Sequence, residues 1–111
     1  MEINLYIYDQ DDKCLENVKL SSIEDKNHFS YIDDNNGLCD VSIFDDGLYI
    51  EKKNSDYKLE LCLRNKSSCK ISTVEGIIEL DTKVVDFLAN NDILVMHYLI
   101  DEQLRKIEIN F

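Results

Sequence analysis

Apolar side chains recur at every second position through most of this chain, and no proline interrupts the pattern. The segment 57–64 shows the alternation most clearly. Its two faces carry different residues: Tyr57, Leu59, Leu61 and Leu63 against Lys58, Glu60, Cys62 and Arg64. Because successive side chains of a β-strand point to opposite faces, this period predicts strands with one buried and one solvated face. The 111 residues are therefore expected to form a small all-β fold in one domain, 1–111.

Turn-forming residues divide the chain into a series of short strands. The predicted strands cover residues 2–9, 15–22, 28–32, 38–44, 48–53, 57–64, 69–75, 76–80, 93–100 and 104–111. Residues 81–89 fit either a short helix or another strand, and the β-branched pair Val84 and Val85 favours the strand. Sequential hairpins with few long connections favour an antiparallel, mostly up-and-down β-barrel, and a β-sandwich is the alternative.

The Asp45-Asp46-Gly47 segment predicts the register of the hairpin 38–53. Asp-Gly is typical of two-residue hairpin turns, so Asp46 and Gly47 are expected to form the turn. Phe44 then lies opposite Tyr49, as an aromatic cross-strand pair worth roughly 0.2–1 kcal/mol.

The four cysteines contain no CxxC pair, so neither a zinc knuckle nor a thioredoxin-like site is expected. Cys62 and Cys69 flank a turn, but placing them opposite each other would set Leu61 against Lys70. A register with Leu61 opposite Ile71 keeps the apolar face apolar. We therefore expect Cys69 in the core, Cys62 on the outer face, and free thiols in a reducing cytoplasm.

The chain is acidic, with a formal net charge of −11, and most of this charge lies in its first half. Residues 1–50 carry 12 acidic and 3 basic side chains, a balance that disfavours nucleic acid and suits a basic protein partner. The start of the sequence has no signal-peptide features, and the longest apolar run is too short to span a bilayer. We expect a cytoplasmic protein without membrane contact, and its composition suits a bacterial source.

Three stretches between Val41 and Phe111 resemble the YwiB-like family, bacterial calycin-like β-barrels grouped as a domain of unknown function. They are the hairpin 43–53, the strand pair 71–80 around Gly76, and the closing pair 93–100 and 106–111. The resemblance implies a calycin-like barrel but no activity, and it transfers no functional residues. Family members carry a proline before the matched glycine and an extra hairpin in the first half. Because this chain has neither, full closure of the barrel is left open.

The sequence offers no catalytic constellation. His97 shares its predicted strand face with apolar residues, and no nucleophile motif or glycine-rich phosphate loop occurs. The Asp/Asn clusters near residues 9–12 and 33–37 lack the ligand spacing of a calcium loop. We therefore expect a non-enzymatic protein with no catalytic residues, no metal and no cofactor.

The leading functional prediction is that the barrel interior or mouth binds a small apolar ligand. Five residues share the predicted inner face and are the candidate ligand-binding set: Leu59, Leu61, Leu63, Ile71 and Thr73. A core filled by side chains would leave no such cavity. The alternative function is a protein-interaction module, which would use the acidic surface or an open edge strand to bind a partner or form a homodimer.

Overall fold

The computed structural model describes residues 1–111 and consists of eleven β-strands without a helix. The strands are β1 Ile3–Tyr8, β2 Cys14–Leu20, β3 His28–Ile32, β4 Leu38–Phe44, β5 Gly47–Lys53, β6 Tyr57–Leu63, β7 Ser68–Thr73, β8 Gly76–Leu80, β9 Thr82–Ala89, β10 Ile93–Ile100 and β11 Gln103–Asn110. The predicted all-β class is confirmed, and the ambiguous segment is the strand β9. No segment forms a helix with the length and apolarity needed to cross a membrane.

The strands form two antiparallel sheets that face each other. One has the order β2-β1-β11-β10-β9, and the other has the order β3-β4-β5-β6-β7-β8. Apart from β1 with β11, every hydrogen-bonded pair joins strands that follow each other in the chain. This is the order of an up-and-down barrel that is open at two places, between β2 and β3 and between β8 and β9. The predicted up-and-down order is thus confirmed. The calycin-like barrel is wrong: closure, which the sequence left open, does not occur, and the packing is that of the alternative, a sandwich.

The chain passes from one sheet to the other between β8 and β9. Only Asp81 separates these strands, and a hairpin reversal needs at least two residues between them. The two strands therefore continue in one direction around a corner, as strands that switch sheets do in sandwiches. This corner explains why β8 and β9 do not pair and why the sheet cannot close there.

The core lies between the sheets and joins their inner faces. On β1, alternate residues Ile3, Leu5 and Ile7 are buried, and the same period appears on β10 and β11. No polar or charged residue is buried. Each fully buried aliphatic side chain of this kind contributes about 1.5–3 kcal/mol to stability. Because the apolar residues alternate, this gain is obtained only when the two apolar sheet faces pack against each other.

The register predicted for the β4–β5 hairpin is wrong by two residues. Phe44 pairs with Gly47, and the turn consists of Asp45 and Asp46. Gly47 has a φ of +151°, and a Cβ atom there would lie 1.9 Å from the carbonyl oxygen of Leu63. The glycine is therefore needed for close approach of β5 to the end of β6, not for the turn itself.

The register predicted for the β6–β7 hairpin is also shifted by two residues. Leu61 pairs with Cys69 instead of Ile71. A shift by an even number keeps every side chain on its predicted face, so Cys69 is in the core with 2% exposure. The shift lengthens the connection, because Arg64 leaves the ladder and pairs with Asp46 at 2.7 Å.

Candidate functional site: a cleft between the sheets

The two ends of the sandwich differ in how well the sheets cover each other. Along the inner face of β6, Leu63 is fully buried, Leu61 is 6% exposed and Leu59 is only half-buried. The same gradient occurs on β10, from fully buried Leu94 to half-buried Ile100. The sheets therefore separate towards the end where β6 begins and β10 ends.

A cleft of about 330 Å³ lies between the separated sheet ends. Eight of its eleven lining residues are apolar or aromatic, so it is an extension of the core that reaches solvent. Its apolar wall includes Ile7, Ile50, Leu59, Leu61, Tyr98 and Ile100. Its three charged residues are Glu16, Lys52 and Arg105, each on a different strand.

Glu16 bridges the gap between β2 and the opposite sheet. Its carboxylate accepts a hydrogen bond of 2.6 Å from the Tyr31 hydroxyl and one of 2.8 Å from the Lys52 ammonium. The Lys52 and Glu16 side chains are only 20% and 16% exposed. We call this group of Glu16, Tyr31 and Lys52 the latch. It replaces the missing backbone pairing between β2 and β3 with charge-assisted hydrogen bonds.

Electrostatics around the latch favour fixed protonation states. Burial lowers the pKa of Lys52, but the hydrogen bond and charge of Glu16 outweigh this effect and raise its pKa above the usual 10.5. Burial and the Glu16 hydrogen bond raise the pKa of Tyr31. Burial also raises the pKa of the neighbouring Cys39 thiol to about 11. At neutral pH this thiol is protonated, which makes it a poor nucleophile.

Arg105 occupies an inward-facing position of β11, directly opposite Tyr98 on β10. The guanidinium makes no ion pair within 4.0 Å and no hydrogen bond to the protein, although the side chain is only half-exposed. All five N–H donors of this cation are therefore free to bind another group at the cleft.

The Tyr98 hydroxyl also faces the cleft without a protein partner. The residue is 3% exposed, and its hydroxyl makes no hydrogen bond in the structure. No buried side-chain nitrogen or oxygen lacks a partner, so this oxygen reaches open space. Burial raises the pKa of Tyr98 to about 12, and the hydroxyl is therefore a hydrogen-bond donor at neutral pH.

The predicted ligand-binding set is only partly brought together. Leu59 and Leu61 line the cleft. Leu63 lies in the fully buried end, Ile71 is half-buried beside Leu59, and Thr73 is exposed at the end of β7. All five share the inner face, but that face runs from solid core through the cleft to solvent.

Sequence reasoning missed Arg105, Tyr98 and Lys52 as site residues. A signal existed for the first of these: Arg105 shares the inward face of β11 with Ile107 and Ile109. A cation at an inward position of an alternating strand is unusual in a core and indicates a polar opening. Lys52 offered the same signal, since it shares the inward face of β5 with Leu48 and Ile50, but its partner Glu16 lies on a strand of the other sheet and could not be paired with it from the sequence.

The two histidines lie outside the cleft, each paired with an aspartate. His97 Nδ1 is 2.8 Å from Asp86 Oδ1, and His28 Nε2 is 2.6 Å from Asp40 Oδ1. Neither ring contacts a hydroxyl or thiol nucleophile by a hydrogen bond. No group of three or more histidine, cysteine, aspartate or glutamate residues is arranged to hold a metal ion.

A search of solved structures finds a similarity to the crystal structure of the YwiB protein from Bacillus subtilis, with a TM-score of 0.39 and 16% sequence identity. It covers 97% of this chain and 85% of that chain. No protein-family model matches the chain, and no curated protein matches it. An overlap of this size does not establish the family, so the YwiB-like resemblance of the sequence stays a prediction.

Proposed function

We propose that the protein binds a small amphipathic anion, with an apolar body in the cleft and a negatively charged end at Arg105. The observation that carries this proposal is the unpaired guanidinium beside an otherwise apolar opening. Small-molecule sites are typically apolar clefts in which a few placed polar groups fix the orientation of the ligand. With about 330 Å³, this cleft is at the lower end of the usual range of roughly 300–1,000 Å³.

The charges around the cleft favour an anion even though the chain as a whole is acidic. Two cations and one carboxylate line the cleft, and the Glu16 carboxylate is already engaged by Lys52 and Tyr31. A guanidinium offers a planar, bidentate fit to a carboxylate or sulfonate. The Tyr98 hydroxyl supplies a second donor from the neighbouring strand, and the remainder of the wall excludes water from the apolar part of the ligand.

Binding without turnover is the form of this proposal that the residues support. The cleft contains no activated nucleophile, since the nearby Cys39 thiol has its pKa raised to about 11. Both histidine–aspartate pairs lie on outer faces, away from the cleft. A general base must reach the proton that it abstracts, and neither imidazole can do so for a molecule held at Arg105.

The proposal is tested with two fluorescent probes of similar apolar character and different charge. The anion 1-anilinonaphthalene-8-sulfonate should bind the wild-type protein, and Arg105→Gln should weaken this binding by about tenfold or more, as expected for a lost charge-assisted hydrogen bond. Neutral Nile red should bind both proteins alike. Replacing the cleft residue Leu59 by Ser should weaken both probes.

Matched controls separate the cleft from general surface charge. Arg64→Gln removes the other arginine, which pairs with Asp46 and stacks on Phe44 at 4.0 Å on the outer face. Leu38→Ser removes a leucine that is 50% exposed away from the cleft. Neither change should alter probe binding. Equal losses from Arg64→Gln and Arg105→Gln, or no anion binding by the wild-type protein, would contradict the proposed function.

A further inference from the structure

The β7–β8 hairpin leaves a strand uncovered on both faces and along one edge. Four of the five residues of β8 are exposed. Ile77 and Ile78, which point to opposite faces, are 62% and 55% exposed, and Val74 in the turn is 98% exposed. Large apolar residues exposed along an unpaired strand are unusual in a monomer, because such an edge can pair with another chain.

Each of the other three sheet edges is interrupted by a bulge or tied to a neighbouring strand, whereas β8 has only the exposed charge of Glu79. Along β2 the register shifts at Tyr8, and the latch ties β2 to β3 through Tyr31. On β9 the pairing skips Val85, which forms a bulge, and the flanking Lys83 and Asp86 are charged and exposed. Bulges, charges and side-chain cover are the usual means of blocking edge pairing. No bulge interrupts the pairing of β8 with β7.

The hairpin geometry determines which backbone groups of β8 are available. The two-residue turn closes at the pair Thr73 and Gly76, which is the hydrogen-bonded pair of such a hairpin. Hydrogen-bonded and non-hydrogen-bonded pairs then alternate along the ladder. Ile78 and Leu80 therefore direct their backbone groups towards β7, whereas Ile77 and Glu79 direct theirs outwards.

We propose that β8 pairs antiparallel with β8 of a second copy of this chain, about a two-fold axis at Ile78. In this register the outward groups of Ile77 hydrogen-bond with those of Glu79 in the other copy, and the two Ile78 side chains meet at the axis. The assembly joins the two six-stranded sheets into one continuous sheet.

Charge selects this register among those that the backbone allows. A two-fold axis at Ile77 would set Glu79 opposite Glu75 of the other copy, and an axis at Glu79 would set the two Glu79 carboxylates against each other. Like charges directly opposite each other destabilise a strand pair. With the axis at Ile78, each Glu79 lies opposite an isoleucine and beside Lys70 of its own chain.

On the inner face, apolar side-chain contacts add to the backbone hydrogen bonds between the two β8 strands. Leu59, Ile71 and Ile78 are neighbours in one row across β6, β7 and β8. The two-fold axis joins this row to the same row of the second copy, which covers the exposed part of Ile78. An interface of one five-residue strand is smaller than the roughly 1,200 Å² of stable complexes, so the dimer dissociates on dilution.

Cysteine cross-linking tests the register directly. In a Cys14→Ser/Cys62→Ser background, Ile78→Cys should form a disulfide-linked dimer under mild oxidation, because directly opposed Cα atoms of a non-hydrogen-bonded pair are about 4.5 Å apart. The control Ile77→Cys is similarly exposed on the same strand, but its symmetry mate is diagonal to it, about 7–8 Å away. It should cross-link at least several-fold more slowly. Equal cross-linking of the two variants, or none, would overturn the proposal.

Sedimentation velocity over a dilution series measures the same contact without new thiols. Ile77→Pro removes an outward N–H and no bond to β7, so it should raise the dimer dissociation constant by about tenfold or more while circular dichroism stays that of the folded protein. Ile77→Thr keeps the N–H and should have a much smaller effect. A wild-type protein that is monomeric at every concentration, or a dimer unaffected by Ile77→Pro, would contradict the proposal.

Discussion

Leu63 and Leu59 lie on the same face of the same strand, four residues apart, yet they occupy opposite ends of the sandwich. At the closed end, Leu63 is fully buried and lies opposite the equally buried Leu48. At the open end, Leu59 forms the wall of a cleft and lies opposite Lys52. The same side chain at equivalent positions thus supports stability in one place and a candidate site in the other.

The difference arises from what holds the sheets together at each end. The closed end is filled by aliphatic side chains of both sheets, among them Leu48, Leu63 and Leu94. At the open end, polar groups of the latch span the distance instead. Apolar packing is dense and costs energy to disturb, whereas a polar bridge keeps a gap of defined width. The cleft accordingly lies at the end where the bridge is polar.

The largest effect is expected from Leu63→Ala at the closed end. The substitution leaves a cavity in a fully packed region, so the free energy of unfolding should fall by about 2–5 kcal/mol. Urea unfolding followed by circular dichroism measures this loss. A loss below about 1 kcal/mol would mean that the closed end is as loosely packed as the cleft, and the two ends would not differ in packing.

The sequence predicts the closed end better than the open end. Alternation placed Leu61, Leu63 and Cys69 on one inner face, and the structure buries all three. An error of two residues in both hairpin registers left these faces unchanged. The period therefore determines which side chains point inwards, but it carries no information on how far apart the two sheets lie.

The open end depends on contacts that no local pattern contains. Glu16 and Lys52 are 36 residues apart and lie in different sheets, and the opening between β8 and β9 exists because the single residue Asp81 turns a corner. A strand whose edge stays unpaired has the same period-two alternation of apolar residues as a strand that is paired on both sides. Only charges at inward positions, Arg105 on β11 and Lys52 on β5, signalled that this end is not solid core.

An intermediate effect is expected from Glu16→Gln in the latch. The amide oxygen can still accept from the Lys52 ammonium and the amide N–H can donate to the rotated Tyr31 hydroxyl, so the main loss is the counter-charge of the ammonium and the charge assistance of both hydrogen bonds. The free energy of unfolding should fall by about 1–3 kcal/mol. The control Glu2→Gln removes an exposed pair with Lys19 at 3.1 Å and should cost less than about 1 kcal/mol.

The pH dependence of this difference identifies its electrostatic origin. Because the pKa of Lys52 is raised on folding, its contribution to stability is complete below its usual pKa of 10.5 and is lost as the pH rises through the folded value. The difference between wild type and Glu16→Gln should therefore be constant around neutral pH and shrink in alkaline solution. A difference that grows with pH would show that the ammonium is not the group Glu16 stabilises.

Among the substitutions at the two ends and in the latch, Leu59→Ala, the counterpart of Leu63→Ala, is expected to have the smallest effect on stability. Leu59 is half-buried, and the space that it vacates is continuous with the cleft, so no closed cavity forms. The free energy of unfolding should fall by no more than about 1.5 kcal/mol, since only part of a leucine is withdrawn from water. Both variants remove the same atoms from the same strand, so their difference in urea unfolding measures packing alone. If Leu59→Ala were as costly as Leu63→Ala, the cleft would be closed in solution, and the two ends of the sandwich would be equivalent.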